Sequence, residues 1–201
     1  EVQLPFLNKL LSLKSLSFSN CDFLIDDIAE CKSLEKISLN YSKPIIDDSS
    51  NLNFLIPSLK VFESHNYLVW NEIKRFIYCF PNLEELTIDD ATYDVYEDEA
   101  EEYYVDYQDI FKFPKLKKLS CDTFSSTFGE YSKSMVELSE LKELEEINWL
   151  SLDYDTELTK FKSLKKIETL VVKEVNNITL LMDKLKNIEV KSINLWQVND
   201  D

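Results

Sequence analysis

The sequence predicts an α/β solenoid: one domain over residues 1–201 in which short parallel strands line the concave side of a right-handed arc and helices cover the convex side. Three observations lead there. A nine-residue phrase, apolar-x-x-apolar-x-apolar-x-x-x, recurs eight times, from Leu13, Leu34, Leu59, Leu83, Leu116, Ile147, Ile167 and Val190. The intervals are 21, 25, 24, 33, 31, 20 and 23 residues, the self-similarity of stacked repeats. Between phrases the apolar spacing changes from every second residue to every third or fourth, as strand gives way to helix.

The elements follow in chain order. Leu4, Phe6, Leu7, Leu10 and Leu11 supply an N-terminal capping helix over 1–12. Leu13-Leu16-Phe18-Cys21 and Leu34-Ile37-Leu39-Ser42 are the first strands, with phrase positions 1, 4 and 6 pointing inward. Leu24-Ile25-Ile28, Trp70-Ile73-Phe76-Ile77-Phe80 and Ile178-Leu181-Met182-Leu185 are helical stripes. Pro57, Pro81 and Pro114 each stand two residues before a phrase, where a ring without an N–H stops a helix and launches an extended segment. The third phrase is irregular, with Ser64 at an inward position. The sixth can begin at Leu144 or Ile147; the match of Ile147-Leu150-Leu152 to Ile167-Leu170-Val172 at a constant offset of 20 favours Ile147. The two longest intervals hold an acidic, tyrosine-rich insertion over 93–109 and a second insertion over 124–138.

These phrases resemble the leucine-rich repeat family over nearly the whole chain. The resemblance implies a rigid curved surface whose concave ribbon binds other proteins. It also accounts for Cys21 at the ninth position, where such repeats carry Asn or Cys to bond the turning backbone. The phrase F-P-x-L-x-x-L, at Phe80 to Leu86 and Phe113 to Leu119, is similar to repeats that follow an F-box in ubiquitin-ligase adaptors.

Composition narrows the function. With 38 acidic and 22 basic residues, a net charge of -16 repels phosphate backbones and anionic lipid surfaces, so neither direct nucleic-acid nor membrane binding is expected. No apolar run is long enough to span a bilayer. Cys21, Cys31, Cys79 and Cys121 have neither metal-ligand nor redox spacing and fit a reduced, intracellular (cytoplasmic or nuclear) protein. His65 is the single histidine and Gly129 the single glycine, which leaves no proton-relay cluster and no phosphate-cradling loop. Carboxylates between Asp94 and Glu102 lack the spacing and central glycine of a calcium loop. The expectation is a protein without catalytic residues, metal or cofactor.

The binding candidates lie on the outward phrase positions. Glu63 and His65, then Glu85, Asp89 and Asp90, then Asp122, then Trp149, Asp153 and Tyr154, and finally Trp196 form a row across neighbouring strands about 4.8 Å apart. Like charges placed side by side on a sheet are costly, which suggests a slot for Lys or Arg of a basic partner, with Trp149, Tyr154 and Trp196 as aromatic anchors. The competing reading is that Trp149 packs on its neighbouring repeat and the acids keep the surface soluble. Between Asp90 and Asp109 lie nine carboxylates and five of the ten tyrosines, among them Tyr96, Tyr103, Tyr104 and Tyr107. That segment is either a dock for the basic partner or a passive solvated insertion. The leading expectation is a non-catalytic protein-interaction module; the alternatives are the substrate-recognition part of an F-box adaptor and a regulator of a small GTPase.

Overall fold

The structure, a computed structural model, describes residues 7–45, 54–65, 70–89, 112–121, 141–152 and 155–197. Among the described residues ten strands alternate with short helices: β1 (Ser15–Ser19), β2 (Phe23–Leu24), β3 (Lys36–Asn40), β4 (Pro44–Ile45), β5 (Val61–His65), β6 (Glu85–Asp89), β7 (Lys118–Cys121), β8 (Glu146–Leu152), β9 (Lys166–Lys173) and β10 (Glu189–Trp196). The α-helices among them are α1 (Asp26–Ala29), α2 (Trp70–Ile77) and α3 (Ile178–Leu185). Eight strands form one sheet in the order β1-β3-β5-β6-β7-β8-β9-β10, every pair parallel. Consecutive repeats therefore sit side by side, which is the architecture of a leucine-rich repeat solenoid. β2 and β4 make a small parallel pair beside it.

The first six main strands start from the same turn. The N–H of Leu13, Leu34, Leu59, Leu83, Leu116 and Leu144 donates to the carbonyl three residues earlier, on Leu10, Cys31, Ile56, Phe80, Phe113 and Leu141, at 3.0–3.2 Å. Pro57, Pro81 and Pro114 occupy the second place of these turns, where a fixed φ near −65° is preorganised. The first place is a buried anchor: Cys31, Ile56, Phe80, Phe113 and Leu141. The F-P-x-L phrase is thus accounted for by turn chemistry.

The turns correct the frame of the last three repeats. Leu144, not Ile147, closes the sixth turn, and the ladder pairs Ile147 with Leu119, so Ile147 occupies the fourth phrase position. Ile167 and Val190 follow in the same register. The opposite ends of these strands nevertheless obey the later frame: Glu174 and Gln197 have φ of 56° and 53°, matching Asn20 and Tyr41 at 52° and 48°, all at the eighth place counted from Ile167, Val190, Leu13 and Leu34. Both frames hold because β8, β9 and β10 are 7, 8 and 8 residues long where β1, β3, β5 and β6 have 5. The apolar string Leu144-x-x-Ile147-x-x-Leu150-x-Leu152 contains the same spacing twice, and both Ile147 and Leu150 are buried.

Two predicted helices also change. Leu24 belongs to β2 because it pairs with Ile45, leaving one helical turn at Asp26–Ala29. Of the capping helix, the described part is a 3-10 turn, Leu7–Lys9, with Leu7 buried and Leu10 and Leu11 exposed. The helices α2 and α3 match their stripes, with Phe76, Ile77, Leu181 and Leu185 buried; Asn177 caps α3 by accepting the Leu180 N–H at 2.8 Å.

One core runs along the inner side of the sheet. Its first half is aromatic: Phe18 stacks on Phe23 at 3.8 Å, and Phe62, Phe76 and Phe80 meet mostly edge to face, Phe76 to Phe80 at 4.9 Å. Its second half, from Leu144 to Leu181, is aliphatic apart from Phe161. Ser64 lies fully buried in this core, and its hydroxyl has no partner among the described residues.

Candidate interaction surface

The period of two that buries one row of side chains delivers the other row to the open face of the sheet. In β1 and β3 this row is low and mostly neutral: Ser15, Ser17, Ser19, Ser38 and Asn40, with Lys36 the exception. The register then sets Ser17, Ser38, Glu63, Thr87 and Ser120 in one line, and Ser19, Asn40, His65 and Asp89 in the next. The structure thus brings Glu63, His65, Glu85 and Asp89 together on adjoining strands. Glu63, His65 and Glu85 are half-buried. Glu63 accepts from Lys36 at 2.7 Å and so is not an uncompensated acid.

A pattern absent from the sequence reading governs the edge where the strands begin. The residue after each leading leucine alternates in sign: Lys14, Glu35, Lys60, Glu84, Lys117, Glu145 and Lys165. Neighbours pair as Lys14–Glu35 at 2.6 Å, Lys60–Glu84 at 3.2 Å, Lys117–Glu84 at 2.8 Å and Lys165–Glu145 at 2.7 Å. The adjacent column, Glu85-Lys118-Glu146-Lys166-Glu189, alternates as well. Counting the sixth and seventh repeats from Ile147 and Ile167 hides both columns. The hydrogen bond from Lys117, with a second from Lys60, holds the Glu84 carboxyl below the ordinary carboxylate range. Lys14 does the same for Glu35, and Lys191 with Lys166 for Glu168. Lys117 and Lys166 are held correspondingly high by the hydrogen bonds they donate to Glu84 and Glu168. A second, neutral line stitches the turns: the side chains of Ser33, Ser58, Asn82 and Ser163 donate to carbonyls of Leu11, Leu34, Pro57 and Lys142 in the preceding repeat.

The ladder breaks between β7 and β8. Only Lys118↔Glu146 and Leu119↔Ile147 pair there, and the Cys121 N–H donates instead to Asn148 Oδ1 at 2.9 Å. An open groove of about 210 Å³ lies at the break, walled in part by Thr87, Lys118, Ser120, Glu146, Asn148 and Lys166. Lys166 spans it toward Glu168 at 3.3 Å and Glu146 at 3.6 Å. The groove therefore carries both signs.

The remaining expectations divide as follows. Trp149 is half-buried and packs against the core, and Trp196 is exposed at the end of β10. Ser151 and Val171, at the fifth place counted from Ile147 and Ile167, are buried and pair with each other. Tyr41 is 67% exposed at the end of β3. Asp90, Asp122, Asp153, Tyr154, Tyr96, Tyr103, Tyr104 and Tyr107 lie outside the described residues, as do both insertions, 93–109 and 124–138. The charge divides along the same line. The described residues hold 21 Lys and Arg against 19 Asp and Glu, and the other residues hold Lys133 and the remaining 19 acids.

The Cys31 and Cys79 thiols pack in the core and donate to the carbonyls of Leu7 and Arg75, both at 3.8 Å. Burial pushes the Cys79 thiol up to about 11 and raises that of Cys31. At the ninth position the Cys21 N–H donates to Ser42 Oγ, whose hydroxyl donates to the Asn40 carbonyl, both at 3.0 Å.

No protein-family model matches the sequence, and no curated protein does. Three solved structures share a similar chain path. An internalin C2 from Listeria monocytogenes has a TM-score of 0.49 at 15% identity, covering 96% of this chain and 75% of that one. A Bacteroides fragilis protein has 0.43 at 16%, covering 96% and 68%, and TLR13 in complex with a single-stranded RNA has 0.36 at 14%, covering 98% and 38%.

Proposed function

We propose that the chain is a non-catalytic protein-interaction module that seats a partner with a basic surface on the open face of its sheet. The observation that carries this reading is a division of labour. Eight parallel strands present one rigid face, about 34 Å across at 4.8 Å per strand, and its described charges are largely paired among themselves. The chain's surplus of negative charge belongs in sequence to the other residues, with nine carboxylates and no Lys or Arg from Asp90 through Asp109. Such an arrangement steers a basic partner electrostatically and holds it by shape and aromatic contact. Tyr96, Tyr103, Tyr104 and Tyr107 supply aromatic area beside those acids, and Tyr41, Glu63, His65, Glu85 and Asp89 supply the face. Asp122, Asp153 and Tyr154, read from their places in the repeat sequence, join Trp149 and Trp196 in the proposed contact set.

The test is affinity capture with the wild-type chain and two variants. In one, the carboxylates from Asp94 to Asp109 become their amides; in the other, Glu63, Glu85 and Asp89 become Lys. Neutralising the segment is expected to slow association of the captured partner at low salt more than it speeds release. Charge reversal on the face is expected to abolish capture. A partner retained by both variants contradicts the proposal.

A further inference from the structure

One aromatic ring is held out from the fold by a backbone that gains nothing from carrying it. Tyr41, the residue after β3, is 67% exposed and has a φ of 48°. The left-handed region crowds Cβ against the neighbouring carbonyl, so it costs any residue but glycine, and Asn less than most because its short amide bonds locally. The first repeat meets the same demand with Asn20, at 52°. Glu174 and Gln197 meet it with unbranched, flexible chains. Of these four residues Tyr41 alone puts a ring there, at a place where it adds little to the core.

The backbone on both sides of the ring is fixed to the preceding repeat. The Asn40 carbonyl accepts the Asn20 N–H at 2.9 Å and the Ser42 hydroxyl at 3.0 Å. Ser42 Oγ, itself buried, accepts the Cys21 N–H at 3.0 Å. One residue on, the Lys43 N–H donates to Asp22 Oδ1 at 3.0 Å, and the Lys43 carbonyl accepts the Phe23 N–H at 3.3 Å. A ring mounted on so constrained a segment loses little further freedom when something binds it. Exposed, preordered tyrosines of this kind are what protein partners use as anchors.

We propose that Tyr41 receives a Lys or Arg side chain of the partner, with the cation against the face of its ring; this rests on the basic-partner reading above and names the residue that anchors it. The ring is available: among the described residues the cation over a tyrosine is Lys112, 3.9 Å from the Tyr78 ring, and none lies over Tyr41. Charge favours a cation there, since Asp22, Asp26 and Asp27 in the adjoining segment outnumber Lys43. Position does as well. β3, β5 and β6 are parallel, so Tyr41 and the point where the chain leaves β6 toward Asp90 lie along one edge of the sheet.

Titration of the 201-residue chain with a short peptide of alternating Arg and Gly tests the proposal, read by calorimetry and by the NMR signals of the Tyr41 ring. The ring protons are expected to shift as the peptide is added. Tyr41→Asn is expected to weaken binding about fivefold, and Tyr41→Phe, which keeps a ring, to stay within about twofold of the wild type. The melting temperature of Tyr41→Asn should be unchanged or higher, because Asn takes a positive φ more readily. A peptide that binds the wild type and Tyr41→Asn equally overturns the anchor and leaves the basic-partner reading standing. A peptide that does not bind the wild type overturns both. A melting temperature lowered by Tyr41→Asn would show that the ring is kept for packing, and overturns the anchor as well.

Discussion

The first five main strands and the last three solve one problem differently. β1, β3, β5, β6 and β7 are short, four or five residues, and sit over an aromatic core; β8 to β10 carry extra residues and sit over a mostly aliphatic one. All eight keep a common register where they begin, held by the alternating Lys and Glu column and by backbone bonds such as Glu84 N–H to Lys60 O at 2.8 Å. At their far ends the long strands run on, and the discontinuity is absorbed at one place, beside Asn148. A solenoid can therefore change strand length midway if one edge stays aligned and one side chain takes over the missing ladder bond.

The largest effect is expected in the aromatic half. Phe62→Ala removes a fully buried ring that meets Phe76 and Phe80, and about 3–5 kcal/mol should be lost in denaturant unfolding. A loss below about 1 kcal/mol would mean this cluster does not anchor the first repeats. At the junction, Asn148→Ala strands the Cys121 N–H and should cost about 1–3 kcal/mol, while Asn148→Asp keeps the acceptor and should cost less. Faster amide exchange confined to Cys121 and its neighbours would mark the junction as the place affected.

Acid probes the shared edge. Glu35, Glu84 and Glu168 have carboxyls held below their unfolded range, so their contribution is present above the ordinary carboxylate value of 4.5 and is lost as pH falls through the lower folded values. Melting temperature should therefore drop below about pH 4.5, and Glu84→Gln should flatten part of that drop. At neutral pH the same substitution should cost no more than about 1 kcal/mol, since both its ion pairs are partly exposed. The smallest change has the opposite sign. Ser64→Ala removes a buried hydroxyl with no partner among the described residues and should leave stability unchanged or raise it by about 1 kcal/mol. A clear loss would show that the hydroxyl is bonded.

Much of this fold was legible in the residues. Leu13, Leu34, Leu59, Leu83 and Leu116 mark where five strands begin, and Phe76 and Leu181 mark helix faces, because burial imposes period two on one element and period 3.6 on the other. The sixth repeat was misread for a physical reason. Leu144, Ile147 and Leu150 are spaced alike and all buried, so an apolar template slides by three without penalty, and only the charges of Glu145 and Lys165 distinguish the frames. The candidate surface was legible in part. Outwardness follows from alternation, so Glu63, His65 and Glu85 stand on the open face; which acids are paired depends on neighbours 20 to 33 residues away, as with Lys117 and Glu84.

The common leading register can be measured directly through scalar couplings across hydrogen bonds. The account predicts a correlation between the Glu145 amide nitrogen and the Lys117 carbonyl carbon, across the 2.8 Å bond that aligns Leu144 with Leu116. A correlation from the Asn148 amide to that carbonyl instead would align Ile147 with Leu116, and the continuous edge described above would not exist.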